Sequence, residues 1–222
     1  RGDMVLPREG VGAYPNHLAK KIGLERISLS TSAFADDSTT INIDGQRKTV
    51  DQVVVAHPSP SEEMSMRMVW TVYFDSPRSP APGKFLLLNG DYQIGKTAIA
   101  HMAVPSDVQP SYAPEGRSLV VATIVGDAAD SLNLNNAEAV ESRARKEIEQ
   151  WFPDCKNWKT LDVQHINAAL PSHGTGANLS FSRSIGEDGI ITCGDHMTHA
   201  SMQGAVNSAE TAANEAIRRI QN

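Results

Sequence analysis

The spacing of apolar and polar positions divides the chain into three stretches. In the first, Tyr14, Leu18 and Ile22 recur at helical spacing and Gly23 stands at a C-cap position, which predicts a short helix from about Pro15 to Ile22. An Asp44-Gly45 pair between two alternating segments predicts a hairpin. Val53, Val54, Val55 and Ala56 are apolar without alternation, the pattern of a strand covered on both faces in a parallel sheet, and the run ends at Pro58 and Pro60. In the second stretch bulk alternates over residues 64–74. A Pro- and Ser-rich loop over residues 76–83 follows, and residues 84–88, 98–104, 119–125 and 161–166 read as further strands of an antiparallel sheet. Between the last two, Val140, Ala144, Ile148 and Trp151 form one helical stripe, capped by Asn135 or Asn136 and stopped by Pro153. Glu141 and Arg145 are spaced to pair along it. In the third stretch an apolar strand over residues 189–193 closes at Gly194-Asp195. A loop over residues 196–201 then leads into a helix starting near Met202 or Gln203, with Ala205, Ala209, Ala212, Ala216 and Ile220 expected on its packed face.

Composition narrows the classes without choosing among them. The 222 residues, 40% hydrophobic and 21% charged, suit a globular protein with one sizeable core or two small ones, and the net charge of -6 gives no support for nucleic-acid binding. No apolar run is long enough to span a bilayer. The opening Arg1-Gly2-Asp3 is unlike a signal peptide, and it lacks an initiator methionine. Cys155 and Cys193 have no metal-like spacing and fit a reducing intracellular compartment. His196 and His199 lack a third ligand at a sensible spacing, so no metal site is expected.

The third stretch carries the chemistry. A strand, a Gly-Asp pair, a loop and a helix of small residues suit an anion or a polarised oxygen, because the first N–H groups of a helix have no internal partner. Glycine allows close approach to a ligand, and Asp195 would stand at the carboxyl end of a strand, the usual ligand edge of an α/β sheet. A helix packed tightly on a sheet explains the small residues equally well.

The segment from Ile191 through Ile217 resembles the C-terminal flavin-binding motif of the flavin-containing amine oxidase and phytoene desaturase superfamily, position by position at Gly194, Asp195, Ser201, Met202, Gln203, Gly204, Ala205, Val206 and Ser208. Val50-Asp51-Gln52-Val53-Val54-Val55-Ala56-His57-Pro58 is similar to the family's return from a small β-meander, and the likeness covers nearly the whole chain. The resemblance implies FAD as cofactor. Asp195 would hydrogen-bond its ribityl or pyrophosphate part, and the backbone at Met202 and Gln203 would face the pyrimidine edge of the flavin. Gly204 and Ala205 would let the helix terminus approach, and Gly194 and Ser201 complete the site. Many relatives carry Glu at the position of Gln203, so no charge role is given to Gln203.

The implied fold is α/β: the C-terminal part of an FAD/NAD(P)-binding, Rossmann-like domain plus an antiparallel-sheet substrate domain, with the N-terminal dinucleotide-binding half missing. The family's Gly-x-Gly-x-x-Gly loop has no counterpart here, since Gly10-Val11-Gly12 follows no apolar strand and reads as a turn. The expected divisions are residues 1–60, a partial FAD-binding domain with β-meander; 61–177, a substrate-binding domain containing the helix over 136–151; and 178–222, the flavin-contacting strand, loop and helix. The implied activity is FAD-dependent oxidoreduction, with hydride transfer from an amine or polyene-like small molecule to flavin N5. Two alternatives stand beside it: a carotenoid desaturase- or isomerase-like protein, for which membrane contact stays open, and a truncated remnant that cannot hold FAD alone. The missing half of the FAD domain is the expected partner. His196 and His199 could touch cofactor or substrate, and His101 and Trp70 could line a substrate cavity. Lys84 and Lys96 read as surface lysines, Trp151 and Trp158 as core or interface anchors, and no catalytic residue is assigned.

Overall fold

The computed structural model describes residues 4–58, 65–174, 185–186 and 188–221. Residues divide into two compact units: Arg1–Ile27 with Met68–Ala169, and Ser28–Arg67 with Leu170–Asn222. The expected boundaries after residues 60 and 177, and the expected strand start at Met64, lie outside the described residues.

The first unit opens with helix α1 (Ala13–Ile22), ended by Gly23 at φ 95°, as its periodicity predicts. Its apolar stripe is nevertheless uncovered: α1 has no buried residue, and Tyr14, Leu18 and Ile22 are all exposed. The body of the unit is a five-stranded sheet. In chain order its strands are β5 (Met66–Ser76), β6 (Leu86–Leu88), β7 (Ile99–Ala103), β8 (Ser118–Val125) and β9 (Lys159–Pro171), and in space they run β6-β7-β8-β5-β9. The pairs β6–β7, β7–β8 and β5–β8 are antiparallel. Successive side chains on a strand point to opposite faces. The registers therefore line Leu87, Met102, Ala122 and Val72 across four strands on one face, where the last three are buried. The rows on either side, Leu88–His101–Thr123–Thr71 and Leu86–Ala103–Val121–Tyr73, point to the other face.

Two short helices, α2 (Pro105–Val108) and α3 (Gly126–Ser131), flank β8. Helix α4 (Ala137–Trp151) covers the buried face. Asn136 caps it, its Oδ1 accepting from Ala139 N–H at 2.9 Å, and the stripe Val140, Ala144, Ile148 is buried as the pattern requires. These join Phe74, Ile99, Met102, Ile124 and Trp158 in one core, where each large apolar side chain contributes roughly 1.5–3 kcal/mol. Trp158 is buried and stands edge-on to Phe74, whereas Trp151 is partly exposed. Trp70 is a core residue, buried with its ring stacked on His165 at 4.0 Å. The predicted Glu141–Arg145 pair forms at 2.6 Å. Arg145 also donates to Thr160 Oγ1 at 2.8 Å and lies over the Phe74 ring, so it fastens α4 to the start of β9.

The second unit holds a three-stranded antiparallel sheet of β1 (Ala33–Ala35), β2 (Thr40–Ile43) and β3 (Gln46–Thr49). The predicted hairpin turn joins the last two, with Asp44 at φ 49° and Gly45 at φ 84°. Both central residues at positive φ match the right-handed twist of the flanking strands. Strand β4 (Val54–Val55) pairs in parallel with β10 (Ile191–Thr192), and helix α5 (Met202–Ile220) packs on them through Ala212 and Ala216 against Ile191 and Cys193. The expectation that residues 53–56 are covered on both faces holds for Val53, which is buried, and fails at Val54, which is exposed. Among the described residues no helix is long and apolar enough to cross a membrane.

The far end of α5 is tied down by charge. Arg219 donates to Gly189 O at 2.7 Å and to Glu215 at 2.8 Å, and Arg218 pairs with Glu215 at 2.7 Å. Hydrogen bonds from the two guanidinium groups hold the Glu215 carboxyl down to about 2. A depressed carboxyl contributes stability above its unfolded value and loses it as pH falls through the folded one. Thermal unfolding of Glu215→Gln should therefore differ from the parent at pH 6 and converge on it between about pH 4.5 and 2. A constant difference down to pH 2 would place the effect in packing instead of ionisation.

Candidate functional site

Six of the seven residues singled out in the sequence meet in one small construction at the start of α5, and Asp195 stands next to it in chain order. Strand β10 is followed by Gly194 at φ 141°, and residues Asp195–Met197 make one 3-10 turn. The loop then runs back along the beginning of α5. Ser201 is the N-cap: its backbone is extended, its Oγ accepts from Gly204 N–H at 3.0 Å, and its carbonyl accepts from Ala205 N–H at 3.0 Å. Those two bonds use the third and fourth helical donors. The N–H groups of Met202 and Gln203 stand at the first two positions, which helix geometry leaves without an internal acceptor. Both side chains are exposed, so this end of the helix is accessible.

The loop is held from below by contacts that the sequence did not disclose. A Cβ added to Gly204 would lie 2.0 Å from His199 O and 2.7 Å from Thr198 Oγ1, so the loop backbone rests directly on the glycine. Ser208, one turn further on and almost fully buried, accepts from Gly194 N–H at 3.1 Å through its Oγ. Gly204 and Ser208 thus make the surface on which residues 194–201 lie. The buried line of α5 is Gly204, Ser208 and Ala212, continued by the half-buried Ala216. The expected face is corrected by this: Ala209 and Ile220 are exposed and Ala205 is half-buried. Close approach of a strand and a loop selected the smallest side chains, including a glycine and a serine that hydrophobic counting passes over.

Other candidates separate clearly. His196 is buried, and its ring fills the space that a Gly194 side chain would need, 2.5 Å from that Cβ position, while His199 is exposed. Gln203 is engaged along its own helix, donating to Asn207 Oδ1 at 2.7 Å. In the first unit His101 lies on the sheet face opposite the core, where partial burial lowers its pKa, and Trp70 belongs to the core of the other face. Lys84 and Lys96 are exposed. A further carboxylate escaped the sequence reading. Glu147 is 5% exposed beneath the start of β7 and accepts from Ala98 N–H at 2.8 Å, Ile99 N–H at 3.0 Å and Arg143 Nε at 2.6 Å. Every lone pair is turned to structural use, so Glu147 is a fastener of α4 to the sheet.

The site can do a definite thing. Two unshared backbone donors and the positive end of a 19-residue helix favour negative charge on whatever stands before them. Against this geometry, a family model described as flavin containing amine oxidoreductase matches residues 62–217. No curated protein matches. Among solved structures, an Exiguobacterium sp. 255-15 protein described as a protoporphyrinogen oxidase matches with a TM-score of 0.68 at 16% identity, over 94% of this chain and 51% of that one. A putrescine oxidase with putrescine bound matches at 0.66 and 14% identity, over 93% and 53%, and a reduced UDP-galactopyranose mutase at 0.65 and 13%, over 97% and 52%. These likenesses show a shared α/β fold. The chain spans about half the length of the structures it matches.

Proposed function

The chain belongs to the flavin containing amine oxidoreductases, and from that premise we propose that it supplies the flavin-ring end of an FAD site and the substrate domain of a longer oxidoreductase. The observation that carries the reading is the start of α5. Its cap is satisfied by Ser201, its loop is seated on Gly204 and Ser208, and the N–H groups of Met202 and Gln203 stand at the two helical positions that have no intrahelical acceptor.

The residues present fit one part of the cofactor. Backbone N–H groups of Met202 and Gln203, with the helix dipole behind them, would hold the electron-rich pyrimidine edge of the flavin and favour the negative charge of its reduced form. Asp195, half-buried in the turn after β10, would accept hydrogen bonds from ribityl hydroxyls or stand beside the pyrophosphate. Gly194, Ser201, Gly204 and Ala205 fix the turn and bring the helix end close. FAD, when bound, supplies hydride acceptance at N5, here from an amine or polyene-like substrate. No residue of this chain is assigned to proton transfer. A glycine-rich pyrophosphate loop does not occur in the sequence, so that half of the site would come from polypeptide outside it. Two observations support such a partner. Among the described residues the parallel pair β4–β10 has two strands, whereas parallel sheets are ordinarily wide and covered. Helix α5 also exposes Val206, Ile217 and Ile220 on the side away from its packed line.

The test is flavin content. A longer protein carrying this chain and a preceding strand with Gly-x-Gly-x-x-Gly should purify yellow and release FAD on denaturation, and the 222-residue chain alone should retain none through gel filtration. Colourless longer protein would overturn the reading. It would favour the non-catalytic alternative, for which the lack of a pyrophosphate loop in this sequence is the specific support.

A further inference from the structure

A cavity of about 370 Å³ lies in the first unit, between the end of α4 and the Pro- and Ser-rich loop that follows β5. That volume is within the range of small-molecule pockets. Trp151, Phe152 and Trp158 line it from the α4 side, and Pro77, Pro80 and Pro82 line it from the loop. Trp158 is buried and Phe152 half-buried, with their rings 6.4 Å apart, while Trp151 is 38% exposed. The loop is pinned by polar contacts. Ser76 Oγ donates to Arg78 O at 2.6 Å, and Asp107 Oδ2 accepts from Ser79 Oγ at 2.6 Å and from Gly83 N–H at 3.1 Å. Each proline also fixes its own φ, so the walls are set before a ligand arrives. Arg78 of the loop pairs with Asp154, just beyond α4, at 2.6 Å; both line the cavity and both side chains are largely exposed. That bond uses Nη2 of Arg78 and Oδ2 of Asp154, and among the described residues no other hydrogen bond engages either head group.

We propose that this cavity binds a free α-amino acid with an aromatic side chain. A planar ring suits walls of aromatic rings and prolines, where offset or edge-on ring packing adds to the burial of apolar surface. The charged pair selects the rest of the molecule. Arg78 offers the remaining N–H donors of its planar fork to a carboxylate, and Asp154 Oδ1 offers an acceptor to an ammonium group. The two charges stand side by side and sum to zero. A zwitterion, with both charges on one carbon, answers both groups, whereas a ligand of single charge answers one and meets the other as a like charge. An exposed ion pair contributes little to folding, so sharing it with a ligand disturbs the fold little. This inference goes beyond the flavin reading and does not rest on it, because every residue named lies in the first unit.

The probe is L-phenylalanine, titrated into the intact 222-residue chain without flavin and followed by saturation-transfer NMR. Binding should saturate, and phenylpropionate and phenylethylamine, which lack the ammonium and the carboxylate respectively, should each bind about fivefold more weakly. Asp154→Asn should bring L-phenylalanine down to the level of phenylpropionate, and Arg78→Gln should bring it down to that of phenylethylamine. Trp151→Ala should weaken all three ligands about tenfold. Should that variant not fold, the two charge variants decide alone, since both side chains are exposed. Absence of saturable binding overturns the proposal. So does equal or tighter binding of either singly charged analogue, or affinity for L-phenylalanine unchanged in the charge variants or in folded Trp151→Ala. Flavin content of the longer protein is a separate measurement, so either reading can fail alone.

Discussion

Replacing Glu147 by alanine should lower the stability of the first unit by about 4 kcal/mol, as read from urea unfolding. The carboxylate is buried and receives the N–H groups of Ala98, just before β7, and of Ile99, its first residue, next to the point where the register with β8 shifts. Removing it leaves two buried donors without acceptors, at about 1–3 kcal/mol each. It also releases Arg143, which pairs with Glu147 at 2.6 Å and donates to the carbonyl of Lys96. Domains are typically stable by only about 5–15 kcal/mol, so this single change approaches the whole margin. Glu147→Gln keeps one acceptor oxygen and most of the shape, and should fall about halfway between. A loss under about 1 kcal/mol for the alanine variant would show that the strand end finds other acceptors.

Replacing Gly204 by valine should disrupt the start of α5 more severely than any other single change there. The first atom of the side chain would stand 2.0 Å from a backbone oxygen of His199, and backbone cannot step aside as a flexible side chain can. Overpacking of this kind costs about 1–3 kcal/mol. The larger effect should be local: lifting the loop breaks the Gly194–Ser208 hydrogen bond and moves Asp195. Two measurements check this. Amide exchange at Gly194 should accelerate, and flavin occupancy of the longer protein should fall at least about tenfold, the factor that 1.4 kcal/mol of misplacement produces. Ser208→Ala removes only the acceptor and should give the same changes in weaker form. Normal flavin occupancy in Gly204→Val would detach this turn from the cofactor.

What could be read in advance depended on whether a local signal stood alone. Helix α4 announced itself through Asn136, the stripe Val140, Ala144, Ile148 and the stop at Pro153, all of which act within a turn or two. The Asp44-Gly45 hairpin was equally local. The antiparallel sheet was legible from alternation, although β9 proved longer at both ends than its alternating centre. Face assignment was harder. Helix α5 has apolar residues on two sides, and the side that is packed is chosen by how closely β10 and its loop approach, a tertiary fact that favours Gly204 and Ser208 over Ile220. The stripe of α1 reads as a core face and lies exposed. Glu147 was invisible because nothing in a helical heptad distinguishes a solvated glutamate from one that meets two strand amides distant in the sequence. In the candidate site the start of the helix near Met202 and the Gly194-Asp195 turn were legible. The contact of His199 O with Gly204 was not, since it belongs to the path of the loop.

The second unit is discontinuous: the chain from Met68 to Ala169 intervenes between its two parts. Gln52 reaches Gly189 across 137 residues, and the pairing of Val54 with Ile191 has a similar span. Contacts of such separation form slowly, because a long loop must close before any of them is rewarded. Within the inserted stretch β6, β7 and β8 pair as near neighbours in sequence and can form early, whereas β5 meets β9 only late, Tyr73 reaching Gln164 across 91 residues. An order of assembly follows. As the chain emerges during synthesis, β4 waits unpaired while the inserted sheet folds, and the turn proposed to face the flavin is built when β10 and α5 arrive. Formation of that turn is thereby coupled to synthesis of α5, so a protein made only as far as β9 would carry the inserted sheet without the turn.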